Sequence, residues 1–192
     1  MPTPNPQALE FLLSRRSRPA KTLTTPVPDR DALEPILRAA LRSPDHGKLE
    51  PWRLVVLEVA ALQRFGEIAG QRGAALGLDE EKIAKGRNQF DTGNLAVAVI
   101  ESPVIAEKVP EIEQTYSAGA VCLQLLNAAL AAGWGANWLS GWPSHDRGFL
   151  EEALHLAPHE RLAGFIHIGT EKAAPPERPR PDMEAKVTWL SK

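Results

Sequence analysis

From about Ile112 to Ala132 the chain is dominated by Ala, Leu, Val and Gly, and after Tyr116 it carries no charge for a full helix length. A segment of that kind predicts a helix buried nearly all round, because a helix with a solvated face shows a polar stripe. The rest of the chain must therefore supply apolar surface on several sides of it. A chain of 192 residues, 43% of them hydrophobic, has the material for such a core.

The elements on either side fit an α+β fold. Arg53 to Glu58 and Leu95 to Glu101 read as strands, the second an apolar run bounded by Gly93-Asn94 and Pro103 and hence central in its sheet. Asn137 to Leu139 reads as a short strand and Leu162 to Ile168 as a last core strand. Helices are expected from Pro6 behind an Asn5 cap, with Leu9, Leu12 and Leu13 on the apolar face. A second helix carries Leu33, Ile36, Leu37, Ala40 and Leu41, with Asp31 and Glu34 at capping-box spacing, and Ser43-Pro44 stops it. A helical pair is expected from about Ala60 to Gly77 and from Asp79 to about Phe90, and a further helix over Phe149 to Leu156. The glycine break near Gly77 reads either as a hinge for a lid over a pocket or as an ordinary turn. One domain over residues 1–192 is expected, with 173–192 as an extended C-terminal arm, since Ala173 to Pro181 is proline-rich and charged. Val187 to Leu190 could add an edge strand, to this sheet or to a partner's.

Several function classes are disfavoured. The formal charge of −2 hides no block of one sign, which argues against nucleic acid as a partner. No apolar stretch reaches the roughly 20 residues of a membrane span, and the first residues show neither a basic nor an apolar signal region, so a cytoplasmic protein is expected. Cys122 is the only cysteine, which excludes an intrachain disulfide and a Cys-x-x-Cys redox pair. Redox chemistry would need a bound cofactor. No glycine-rich dinucleotide fingerprint follows a strand, and no Walker loop exists. Ser144-His145-Asp146 holds triad residue types, but immediate neighbours cannot form a hydrolase relay, so it reads as a helix start. His155 and His159 have the spacing of a helical metal pair, yet Pro158 lies between them and no third ligand is evident; no metal site is expected.

Two clusters carry chemistry. Arg15-Arg16-Ser17 puts two guanidinium groups and a hydroxyl at the end of the first helix. An Arg fork matches a phosphomonoester bidentately, although cations at a helix C-terminus are also favoured by the macrodipole alone. The run Ser43-Pro44-Asp45-His46 forms a rigid loop between a helix and a strand, followed by Pro51-Trp52. His46 could line a ligand ring or merely bond a loop carbonyl, and Trp52 reads as core before it reads as a stacking platform.

Three segments in order, "RRSR" at Arg15 to Arg18, "RAALRSPDHGKLEPWRLVV" at Arg38 to Val56 and "GWGANWLSG" at Gly133 to Gly141, resemble the flavin-dependent nitroreductases, closest to the small single-domain bacterial type. "GFIHIGT" at Gly164 to Thr170 is similar to the family's late strand. The resemblance implies a nitroreductase-like α+β fold, with a mixed, mainly antiparallel sheet of four to five strands surrounded by helices. It further implies an intertwined homodimer with two FMN sites at the interface, the charge-free helix packing on its twin. The implied activity is NAD(P)H-dependent, ping-pong reduction of small electrophiles such as nitroaromatics or quinones, with NADH or NADPH as a transient donor and FMN carrying the hydride and electrons. The implied cofactor-binding residues are Arg15, Arg16 and Ser17 at the phosphate; Arg42, Pro44, Asp45, His46 and Lys48 on a loop that reaches the opposite subunit's flavin; and Trp138, Leu139 and Ser140 as a third contact segment. No side chain is assigned as a catalytic acid or base. Two other readings stay open: a flavoenzyme of the same fold with a biosynthetic or dehydrogenating role, and a non-enzymatic flavin-binding or storage protein.

Two positions depart from the relatives. Leu139 stands where they carry an Arg, and Arg178 or Arg180 of the tail could replace that cation. Glu50 stands where many have Gln or Asn, and an ionised carboxylate cannot donate a hydrogen bond.

Overall fold

The computed structural model describes residues 3–191. In chain order the elements are α1 (Pro6–Ser14), a 3-10 turn (Ala20–Thr22), β1 (Leu23–Thr24), α2 (Arg30–Ala40), a 3-10 turn (His46–Lys48), β2 (Trp52–Glu58), α3 (Val59–Ala75), α4 (Glu80–Asp91) and β3 (Leu95–Glu101). They continue with α5 (Glu111–Ala131), β4 (Gly135–Leu139), a 3-10 turn (Trp142–Ser144), α6 (Arg147–Leu154), β5 (Arg161–Glu171) and α7 (Met183–Lys186).

The sheet has five strands in the order β1-β5-β3-β2, with β4 also paired to β5. Every pairing is antiparallel, so the mixed component of the expected sheet is absent from the described residues. β3 is buried along its whole length and sits between β2 and β5, as its doubly apolar pattern predicts. Its alternate residues build two cores. Ala96, Ala98 and Ile100 join Leu62, Phe65, Phe90, Phe149 and Phe165 under α3, α4 and α6. Leu95, Val97 and Val99 join Leu33, Ile36, Val121, Leu125 and Ile166 under α2 and α5.

Local chemistry explains the ends. Asn5 caps α1 by accepting from the Ala8 amide at 3.1 Å, with Pro6 at the first helical position. α2 is capped two residues earlier than its capping-box spacing suggests: Asp29, not Asp31, accepts from the Ala32 amide at 2.9 Å. Asp146 starts α6, accepting from the Phe149 amide at 2.7 Å while Arg72 of α3 grips the same carboxylate through two nitrogens. The Ser-His-Asp triplet is thus a helix start. His155 follows α6 in the left-handed region and His159 lies beyond it, so the two share no helical face.

The structure decides between the two readings of Gly77 and changes other expectations. Gly77, at φ +68 with open space where a Cβ would stand, is a turn glycine. The α3–α4 pair is no free lid, because Leu62, Phe65, Ile68 and Phe90 are core residues and the Trp142 indole donates to the Lys82 carbonyl at 3.0 Å. α5 is buried on one face only: Ile112 (52% exposed), Tyr116 (68%) and Leu123 (48%) form an uncovered apolar stripe of the single chain. Leu9, Leu12 and Leu13 of α1 are likewise uncovered. Among the described residues Val187 to Leu190 pairs with no strand, and Trp189 and Leu190 are exposed.

Candidate active site

The segment after α1 runs along β4 and is fastened there by backbone bonds. The Arg18 amide donates to the Ala136 carbonyl at 2.8 Å, and the Asn137 side chain donates to the Arg18 carbonyl at 2.7 Å. On one side of this anchor Arg15, Arg16 and Ser17 line a cavity of about 550 Å³. On the other, Pro19, Ala20 and Lys21 line a second of about 690 Å³.

The first cavity is a cradle of cations. Its other wall is Arg178, Pro179, Arg180 and Pro181 from the C-terminal arm, held in part by Arg16, which donates to the Pro176 carbonyl at 3.0 Å. Arg15 reaches the Ser17 hydroxyl at 3.0 Å. The Nε atoms of Arg15 and Arg16 are buried with no hydrogen-bond partner among the described residues. Burial first, then the charges of Arg180, Arg16 and Arg18, pull the Arg15 guanidinium below its ordinary pKa. Half-buried, mutually repelling guanidinium groups with unpartnered Nε atoms are relieved by an anion with several acceptor oxygens. A phosphomonoester fits that description.

The second cavity is lined by Leu139, Ser140 and Gly141 at the end of β4, by Asn137, by Trp142, and by Lys82, Lys85, Asn88, Gln89 and Thr92 from α4 and its end. The Gln89 Oε1 is buried without a partner among the described residues. Strand alternation turns Trp138 away from this cavity, where its indole lies over Gly164 and donates to the Ala163 carbonyl at 3.3 Å.

The structure therefore joins Arg15, Arg16 and Ser17 to Leu139 and Ser140 through one short segment. Arg42, Pro44, Asp45, His46 and Lys48 line neither cavity. Their loop packs instead on the start of α5: the Pro44 carbonyl accepts from the Ser117 hydroxyl at 2.9 Å, and the His46 Nδ1 lies 2.7 Å from the Glu113 carboxylate. Asp45 accepts from the Glu50 amide at 2.9 Å. Lys48 and Glu50 both adopt positive φ around Gly47, an arrangement that non-glycine residues hold at some cost. A further cleft of about 1040 Å³, between α2 and the end of β2, includes none of these residues. Sequence reading missed the contribution of α4, whose Lys85, Asn88 and Gln89 look like any polar helix face.

An antiparallel α+β scaffold with an arginine cradle opening beside a second cavity defines a class of protein suited to a phosphorylated small molecule. The comparisons make the class specific. The sequence model described as "Nitroreductase family" matches residues 12–170, and the chain belongs to that family of oxidoreductase enzymes. It is 36% identical over 163 residues to an Escherichia coli (strain K12) protein named "Putative NAD(P)H nitroreductase YdjA", covering 85% of this chain and 87% of that one. The fold matches a nitroreductase-like family protein from Bacillus cereus at TM-score 0.79 and 23% identity over 100% of both chains. It also matches a Desulfovibrio desulfuricans protein described as a putative nitroreductase in complex with FMN, at TM-score 0.74 and 21% identity over 98% of this chain and 99% of that one. Among the described residues no helix is long and apolar enough to cross a membrane.

Proposed function

We propose that the chain binds FMN, phosphate in the arginine cradle and ring in the cavity at the end of β4, and oxidises NADH or NADPH at the expense of a small electrophile such as a nitroaromatic or a quinone. The observation that carries this is the run from Arg15 to Lys21, which lines the cradle with its first half and the second cavity with its last. Family membership and the names of the relatives point the same way.

Bound there, FMN supplies the hydride and electron transfer. The chain's residues do the rest. Arg15, Arg16, Ser17, Arg178 and Arg180 hold the phosphate; Leu139, Trp142 and Gly141 shape the slot; Lys21, Lys82 and Lys85 favour negative charge in it.

The working unit is a homodimer in the cytoplasm. Ile112, Tyr116 and Leu123 on α5 and the leucines of α1 give it an apolar contact surface. His46 and Lys48 lie on a loop fixed to the start of that helix, which supports the reading that they serve the partner's flavin.

The test is direct. Purified protein should be yellow, release FMN on denaturation, and lose its colour on mixing with NAD(P)H before an acceptor is added. Double-reciprocal plots at several acceptor levels should be parallel, because donor and acceptor use one slot in turn. Colourless protein that takes up no FMN would overturn the reading. Flavin that NAD(P)H does not reduce would favour storage instead.

A further inference from the structure

We propose, resting on the flavin reading above, that the second cavity selects an electron acceptor that carries a carboxylate, through Lys21 and Lys85. The lining of this cavity includes three lysines and no aspartate or glutamate. Lys82 is tied to Asp79 at 2.8 Å. Lys21 and Lys85 form no ion pair among the described residues, although they come from separate elements that converge on the same space.

The charge balance decides what these two ammonium groups are for. The phosphate is served by arginines in the neighbouring cavity, so it makes no demand on them. A flavin ring in the slot brings one negative charge at most, and only when reduced. Once the donor has left with its phosphates, two unpaired cations at the mouth of a concave site exceed that need and draw in an anionic ligand. The wall below them is apolar, with Leu78, Leu139 and Trp142, which suits a flat hydrophobic body rather than a small polar anion. The wall is also rigid. A Cβ on Gly86 would stand 2.0 Å from the Trp142 Nε1, so α4 sits directly against that indole and holds Lys85 at a fixed place. A ligand with an aromatic body and a carboxylate on its rim uses both features. For a nitro compound the step takes a hydride from NAD(P)H and one proton from solvent, and gives the nitroso compound, water and NAD(P)+.

The experiment compares 4-nitrobenzoate with 4-nitrobenzamide, which differ in charge and hardly in shape, by kcat/KM in the flavin-loaded enzyme at low and high salt. The expected ratio favours the carboxylate by about tenfold at low ionic strength and shrinks as salt screens the lysines. Lys21→Met and Lys85→Met should each cut the ratio about threefold. Lys108→Met, outside both cavities, should leave it in place. Turnover of both compounds with equal constants, or a ratio indifferent to salt and to both substitutions, overturns the selectivity while sparing the flavin reading. Loaded enzyme that turns over neither compound, nor a carboxylated and a neutral quinone, overturns both together.

Discussion

The indole of Trp52 donates to the Ser117 hydroxyl at 3.0 Å, and that hydroxyl donates in turn to the Pro44 carbonyl at 2.9 Å. One serine thus fastens the start of β2, the start of α5 and the loop that bears His46. Ser117→Ala would leave a part-buried N–H and a carbonyl unpaired, at a cost of about 1–3 kcal/mol. Chemical denaturation should show that loss, and hydrogen exchange should quicken at residues 45–48. Unchanged exchange there would mean that the His46–Glu113 contact alone holds the loop.

Arg15→Ala should weaken FMN binding about tenfold to a hundredfold, the worth of a charge-assisted contact of roughly 1.5–3 kcal/mol. Flavin fluorescence titration measures it. Arg180→Ala should act in the same direction and more mildly, since Arg180 is half-exposed and shares its charge with Glu177. An Arg15 variant that keeps full affinity would remove the phosphate from the cradle.

Two buried groups should give acid denaturation two stages. Burial pushes the His167 imidazole down to about 4 from 6.5, with its Nε2 unpartnered. The folded protein refuses a proton that the unfolded chain accepts, so this contribution is complete above about pH 6.5 and is lost as pH falls from there towards 4. A shift of that size is of order 3 kcal/mol. Glu160 is held down at about 2 chiefly by its paired bonds from Arg53, so its contribution is complete above about 4.5 and is lost as pH falls through 2. His167→Gln should flatten only the upper stage of a stability-against-pH curve, and Glu160→Gln only the lower.

Two glycines should answer differently to alanine. Gly86→Ala drives a methyl into the Trp142 indole and should lower stability by about 1–3 kcal/mol, with a matching drop in melting temperature. Gly77→Ala meets open space and has only its positive φ against it, which costs about 1 kcal/mol. Equal effects would mean that the α4–Trp142 contact yields easily.

The sequence made legible whatever rests on local pattern. β3 shows apolar residues on both faces, α3 and α4 repeat at helical spacing, and Asn5-Pro6 is a cap in plain sight. Arg15, Arg16 and Ser17 were legible because their chemistry is concentrated in three neighbours. What escaped rests on distance. β1 is two residues long and exists only because Leu23 and Thr24 pair with Glu171 and Thr170. Asp29 and Asp31 are equivalent caps until the backbone chooses one. The side of β4 that meets the cavity depends on a register with β5 that no single segment encodes. The absence of charge in α5 after Tyr116 reads as full enclosure, whereas the helix has a core on one face and an open apolar stripe on the other.

The arginine cradle is closed by residues 178–181, yet its floor is laid at residues 15–17. During synthesis the floor therefore leaves the ribosome long before the wall that closes it. β5, which pairs with β1, β3 and β4, arrives just as late. Strands joined over such separations close slowly, because loop entropy is spent before contacts return it. A nascent chain truncated ahead of Arg161 has no strand to seat β1 or β4 and no arm over the cradle, so cofactor capture waits for both and reads out whether the sheet has closed.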